Sequence, residues 1–225
     1  MLKTLTSIKF SMKTKVIMFD LWNTLIFEKS FDVYKQVVEA FYFRDINDFW
    51  RYCQKSVFVK RMSYSDLFKE LADVRETSKA KVKYMSRIWK KLQSNIKLFD
   101  DSLNVIKKLS KDYRLVLVTN TSYEEANIGL SINDIGRFFS KKVLSCDIGI
   151  CKPNRGIYEI ALSGLDVKPE EVCMVGDLLN IDIIPAKSMG MKTILVDRDN
   201  NYKQKPKESD FVVKSLDEII NILSN

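Results

Sequence analysis

The stretch Lys15-Val16-Ile17-Met18-Phe19-Asp20-Leu21-Trp22-Asn23-Thr24-Leu25 decides the fold. Val16 to Phe19 is a short apolar run of strand formers, and it stops at a carboxylate, Asp20. A buried parallel strand ends this way at a ligand site, because the carboxyl ends of such strands line the crevice where ligands bind.

The pattern recurs. Leu115-Val116-Leu117-Val118 runs into Thr119-Asn120, and Glu171-Val172-Cys173-Met174-Val175 runs into Gly176-Asp177. Between them stands Lys152-Pro153, followed by a helical pattern. Three strands therefore deliver two acids and a hydroxyl to one sheet edge, with a lysine nearby. That set suits an anionic substrate and a divalent metal.

In order and spacing, Asp20-x-Trp22-x-Thr24, Thr119, Lys152-Pro153 and Gly176-Asp177-x-x-x-x-Asp182 resemble the four motifs of the haloacid dehalogenase-like (HAD) hydrolase superfamily. The resemblance spans about residues 15 to 200. It implies an α/β, doubly wound parallel sheet, Rossmann-like, with a helical cap closing over the nucleophile.

The remaining patterns agree. Phe31, Tyr34, Val37, Val38 and Phe41 lie at helical spacing. So do Trp50, Cys53 and Val57, then Leu67, Leu71 and Val74, then Val82, Met85, Trp89 and Leu92. Asp45 and Ser63-x-x-Asp66 supply start signals. Four amphipathic helices without an intervening strand read as a four-helix-bundle cap inserted between the first and second strands, with Trp50 and Trp89 in its core. Further on we expect a helix over 101–111, a helix capped by Ser122-x-x-Glu125, a strand over 142–145 and a helix over 154–165. The pattern then gives a helix over 182–189, strands over 193–196 and 211–213, and a last helix capped by Ser215-x-x-Glu218. Alternating strands and helices build a parallel sheet with right-handed crossovers. The chain thus divides into an N-terminal extension, 1–14, a catalytic core from 15–28 and 97–225, and the cap, 29–96. Met12 is a natural start for this fold, so residues 1 to 11 are expected to be either a disordered extension of it or the product of a gene start assigned too far upstream.

Composition narrows the chemistry. The sequence contains no histidine, which leaves carboxylates as acid/base groups and metal ligands. Its four cysteines, at 53, 146, 151 and 173, lack zinc spacing and suit a reducing cytoplasm. Lys+Arg 37 against Asp+Glu 29 gives a net charge of +8, but the lysines are scattered, which argues against a nucleic-acid partner. No run reaches the ~18 apolar residues of a membrane span. Oligomeric state, monomer or homodimer, is open.

The resemblance assigns roles. Asp20 is the expected nucleophile, with Thr119 and Lys152 stabilising charge on the transferring group. Asp20, the main-chain carbonyl of Trp22, Asp177 and, less directly, Asp182 are the expected Mg²⁺ ligands. Trp22, Asn23, Arg51, Asn120 and Tyr158 are the substrate-binding candidates. Phosphatases of the superfamily generally carry a second Asp where this chain has Trp22, and indole can neither protonate a leaving group nor activate water. The superfamily's 2-haloacid dehalogenases have an aromatic there and need no metal, and Trp50-Arg51-x-x-Gln54 resembles their arginine segment. Gly176-Asp177, however, is the metal-binding form of the fourth motif, and Leu179 stands where those dehalogenases have an asparagine. The favoured expectation is Mg²⁺-dependent hydrolysis of a small phosphate monoester. The alternatives are a metal-independent 2-haloacid dehalogenase and a catalytically weak binding or regulatory protein of the same fold.

Overall fold

The computed structural model describes residues 14–28 and 31–224. The expected extension falls on 1–13, outside the described residues, apart from Thr14. Six strands form one parallel sheet: β1 (Val16–Phe19), β4 (Arg114–Thr119), β5 (Phe139–Leu144), β6 (Val172–Gly176), β7 (Lys192–Val196) and β8 (Phe211–Val213). Their spatial order is β5-β4-β1-β6-β7-β8. Phe19 lies level with Leu117 on β4 and with Val175 on β6, so the residues that follow all three strands emerge at one edge. The chain moves outward from β1 through β4 to β5, then returns to build β6, β7 and β8 on the other side. The switch between β1 and β6 opens a crevice at their carboxyl ends.

Period-2 alternation along the strands supplies both faces of the sheet. Ile17, Phe19, Leu115, Leu117, Cys173 and Val175 pack with the helices α5 (Ser102–Leu109) and α10 (Asp217–Ser224). Val16, Met18, Val116, Val118, Val172 and Met174 pack with α8 (Arg155–Leu162) and α9 (Ile184–Ser188). Helices on both faces make the sheet doubly wound, as expected.

The cap is an independent apolar core. Its helices α1 (Phe31–Ala40), α2 (Ile46–Cys53), α3 (Tyr64–Arg75) and α4 (Lys79–Gln93) gather around Phe41, Phe49, Phe68, Met85 and Trp89. Asp45 and Ser63 act as N-caps, their side chains accepting from the backbone N–H of Asp48 and Asp66. A short antiparallel ribbon, β2 (Ile26–Phe27) with β3 (Lys97–Leu98), joins cap and core, and we place the division between them there.

Differences from the sequence reading are local. The ribbon was not expected, because two-residue strands leave no periodicity to read. α2 stops at Cys53 rather than running to Val57, and turns follow it. β5 begins at Phe139, and Ser145 opens a one-turn helix, α7 (Ser145–Ile148), instead of ending the strand. Residues Leu179–Ile183 form a wide π-helical turn before α9, where a regular helix from Asp182 was expected.

Candidate active site

Asp20 leaves β1 with its backbone N–H bonded to the Val175 carbonyl, at 2.9 Å. The chain then folds back tightly: Leu25 and Ile26 both donate to the Leu21 carbonyl, and Asn23 donates to Ile26. Asn23 has φ +52°, a left-handed conformation that asparagine tolerates better than most residues. Arg198 pins this loop from the β7 side. It forms a two-pronged pair with Asp101, at 2.9 and 3.0 Å, and donates to the Thr24 carbonyl at 3.0 Å.

Lys152 is 2% exposed and lies between two carboxylates. Its Nζ is 2.5 Å from Asp20 Oδ1 and 2.6 Å from Asp182 Oδ1. Asn120, just past β4, clamps the lysine's backbone from both sides: its Nδ2 donates to the Lys152 carbonyl at 2.9 Å, and its Oδ1 accepts from the Lys152 N–H at 2.7 Å. Asp182 takes a further bond on Oδ2 from the Leu178 N–H, at 3.0 Å. Asp20, Asp177 and Asp182 bring carboxylate oxygens within 4.8 Å of one another.

The charges are mutually shifted. Burial pushes the Asp20 carboxyl up, Lys152 pulls it back, and it settles at about 6. Asp177 is pushed well above the carboxylate range by burial and by the neighbouring charges of Asp20 and Asp182. Burial disfavours the Lys152 ammonium, but Asp182 and Asp20 together outweigh it and hold its pKa above the ordinary lysine value. One ammonium among three carboxylates leaves an excess of negative charge.

A crevice of about 540 Å³ opens between this cluster and the cap. Of the expected site residues, Asp20, Trp22, Asn23, Asn120, Lys152, Asp177 and Asp182 line it. Thr119 is fully buried at the end of β4, and its Oγ1 has no partner among the described residues. Three candidates therefore do not line the crevice: Thr119, Tyr158 and Arg51. Tyr158 is buried beneath it, donating its hydroxyl to the Ile181 carbonyl at 2.5 Å, so it tethers the turn that carries Asp182. Arg51 is exposed and paired with Asp48 at 3.1 Å on its own helix. The crevice instead receives Asn47, Trp50 and Gln54, one stripe of α2 and the residue after it, and Arg51 is turned about 100° from Trp50. Trp50 both packs in the cap core and faces the crevice, whereas Trp89 is core alone. The sequence reading missed Glu28, Tyr34, Phe58 and Glu125 as lining residues. Glu125 gave a signal only through the Ser122-x-x-Glu125 helix start; Ser122 is the N-cap, its Oγ accepting from the Glu125 N–H, and the Glu125 carboxyl accepts from the Ser122 hydroxyl rather than from its backbone N–H.

Residues 14–190 match the haloacid dehalogenase-like hydrolase family. The chain belongs to that family. It is 35% identical over 96 residues to the glyceraldehyde 3-phosphate phosphatase of Pyrococcus furiosus, a match covering 40% of this chain and 39% of the relative. The chain therefore matches well under half the length of that relative. Among solved structures, a HAD phosphatase from Thermococcus onnurineus superposes with a TM-score of 0.64 at 18% identity, covering 93% of this chain and 98% of the other. A 2-haloacid dehalogenase from Pseudomonas syringae pv. Tomato gives 0.64 at 19% identity, covering 94% and 98%. At such identities these two likenesses bear on the fold of this HAD protein alone. Among the described residues no helix is long and apolar enough to cross a membrane.

Proposed function

We propose that this HAD hydrolase is a Mg²⁺-dependent phosphate-ester hydrolase with Asp20 as its nucleophile. The observation that carries the reading is the cluster of Asp20, Asp177 and Asp182 within 4.8 Å around one lysine, a donor set of hard oxygens in excess of the charge that Lys152 neutralises. Both oxygens of Asp182 already accept hydrogen bonds, which leaves Asp20 and Asp177 as the direct carboxylate ligands. The main-chain carbonyl of Trp22 accepts no backbone bond among the described residues and completes the set. When bound, the ion would neutralise charge on the transferring phosphoryl oxygens.

The chain's own groups do the rest. Lys152 holds Asp20 Oδ1, which fixes the carboxylate and leaves Oδ2 to attack phosphorus. The new bond joins Oδ2 to phosphorus, and the ester P–O bond breaks with its electron pair leaving on the alcohol oxygen. Water then attacks phosphorus and the aspartyl–phosphate bond breaks, releasing inorganic phosphate and restoring the carboxylate. The unpartnered Thr119 hydroxyl and the Lys152 ammonium are donors for phosphoryl oxygens. Trp22 supplies no proton; its indole N–H is turned to Thr121 Oγ1 at 3.3 Å. The departing alcohol therefore takes its proton from water, and good leaving groups are favoured. The Pyrococcus furiosus relative, named as a phosphatase, supports the same chemistry.

Trp22 also favours a second reading, the 2-haloacid dehalogenase. Against it, the only basic side chain among the described lining residues is Lys152, which already serves two carboxylates, so a substrate carboxylate finds no cation on the cap. Phosphate release from an aryl phosphate tests the proposal, measured with Mg²⁺, with EDTA, and with Asp20→Asn as blank. Release that requires both Mg²⁺ and Asp20 supports it. Halide release from 2-chloropropionate without metal, and no phosphate release, would transfer the assignment to the dehalogenase. Neither activity would leave the binding or regulatory reading.

A further inference from the structure

The cap end of the crevice is acidic and aromatic. Among the described residues, five carboxyl side chains line the cavity, those of Asp20, Glu28, Glu125, Asp177 and Asp182, against Lys152 alone. Asp20, Asp177 and Asp182 belong to the phosphoryl end; Glu28 and Glu125 do not. Glu28 follows β2 and receives the Tyr34 hydroxyl on Oε2, while its Oε1 is buried without a partner among the described residues. Glu125 is 5% exposed, and its Oε2 accepts from the Ser122 hydroxyl at 3.0 Å and from the Tyr64 hydroxyl at 3.3 Å. The Trp89 indole also lies close enough to favour the charged form of this carboxyl. Both carboxyls lie close to Tyr34, whose phenol is held above its ordinary pKa first by burial and then by these two acids.

Rings complete the wall. Tyr34 meets Trp50 edge to face at 5.4 Å, and Trp50 stacks on Phe58 at 6.2 Å; all three line the cavity. Aromatic faces combined with carboxylates, in a site shielded from water, bind organic cations. A buried acid without a counter-charge tends to stay protonated, and burial pushes Glu125 up to about 8. A glutamate in the first turn of a helix does not require such burial, since it serves that end equally well on the surface.

We propose that this crevice selects phosphate monoesters bearing a positively charged amine remote from the phosphate, with the amine held by Glu28 and Glu125 and the rings of Tyr34, Trp50 and Phe58. This inference rests on the phosphate-ester reading of the same site and names its substrate class. A second anionic group at the cap end, as in a phosphorylated acid, is disfavoured by the same two carboxyls.

The test separates binding from turnover. Aminoalkyl phosphonates of increasing chain length, which cannot be hydrolysed at phosphorus, are titrated into the full chain with Mg²⁺ by calorimetry, beside alkyl phosphonates of equal length. We expect the amine to bind about tenfold tighter or more at one or more lengths. We also expect Glu28→Gln and Glu125→Gln each to reduce that ratio at least threefold. Because the ratio is taken within each variant, loss of folded protein does not imitate the result. Equal binding of amine and alkyl members at every length, no binding by either series, or a ratio unmoved by both variants would overturn the inference. Phosphate release from the corresponding esters is read separately. Its absence alongside a clear amine preference would remove the hydrolytic reading and leave the cation site, whereas hydrolysis without an amine preference would do the reverse.

Discussion

The Asp182 carboxylate occupies the space that a side chain on residue 176 would need: a Cβ placed on Gly176 would lie 2.5 Å from both Cγ and Oδ2 of Asp182. Glycine at the end of β6 is what lets Asp182 reach Lys152 and the Leu178 N–H. Gly176→Ala should therefore push the carboxylate off both partners. Overpacking of this kind costs about 1–3 kcal/mol, and displacement of a positioning group by about 1 Å can cost roughly 10²-fold in rate. Urea melts with steady-state assays should show both losses; full activity in the alanine variant would contradict this packing.

Arg51 is predicted to be dispensable. Its guanidinium is exposed and bonded to Asp48, away from the crevice. Arg51→Ala should leave KM for phosphate esters within about twofold and stability within about 0.5 kcal/mol. A loss of tenfold or more in KM would show that the side chain reaches substrate.

Trp22 stands where an acid/base would help a poor leaving group. Trp22→Asp should raise kcat for alkyl phosphates relative to aryl phosphates, by up to roughly 10²-fold, because proton donation matters most when the departing alcohol is basic. An equal fall for both classes would mean that the indole itself takes part in binding.

Glu125 should make stability fall as the pH rises. Its folded-state pKa of about 8 lies above the ordinary glutamate value of 4.5, with burial the main cause. Between those values the folded chain keeps a proton that the unfolded chain has released, so ν is larger in the native state and the unfolding free energy declines with pH. The group's contribution is intact below the lower value and lost once the pH passes the upper one. The wild-type curve should decline relative to Glu125→Gln by about 1 kcal/mol per pH unit across that window. Parallel curves from denaturant melts would show that Glu125 is ionised in the folded state.

The parts legible in the sequence were those with a period or a fixed spacing. Apolar runs ending at Asp20, Thr119 and Gly176 were enough to place three strands at one common edge of one sheet, and the four cap helices followed from spacing and caps. Rotation about a helix was not legible to within one residue. Trp50, Arg51 and Gln54 were singled out together, but a 100° step separates the crevice-facing stripe from the solvent-facing arginine. Tyr158 was found as a residue of the right type near Lys152, yet only tertiary packing shows that its hydroxyl serves the Ile181 carbonyl and not a ligand. Glu28 and Glu125 were hidden for a related reason. Each sits at an ordinary local position, one after a ribbon strand and one in the first turn of a helix, and becomes part of a cavity only when the cap closes over the sheet.

The central claim is covalent: Asp20 becomes phosphorylated during turnover. Acid-quenched reaction mixtures of the Mg²⁺-loaded protein with an aryl phosphate, digested and read by mass spectrometry, test it directly. The account predicts one phosphoryl group on the peptide that contains Asp20, transient in the wild type and absent in Asp20→Asn. Hydrolysis that proceeds with no phosphoryl group at Asp20, or a phosphoryl group on another residue, would contradict it.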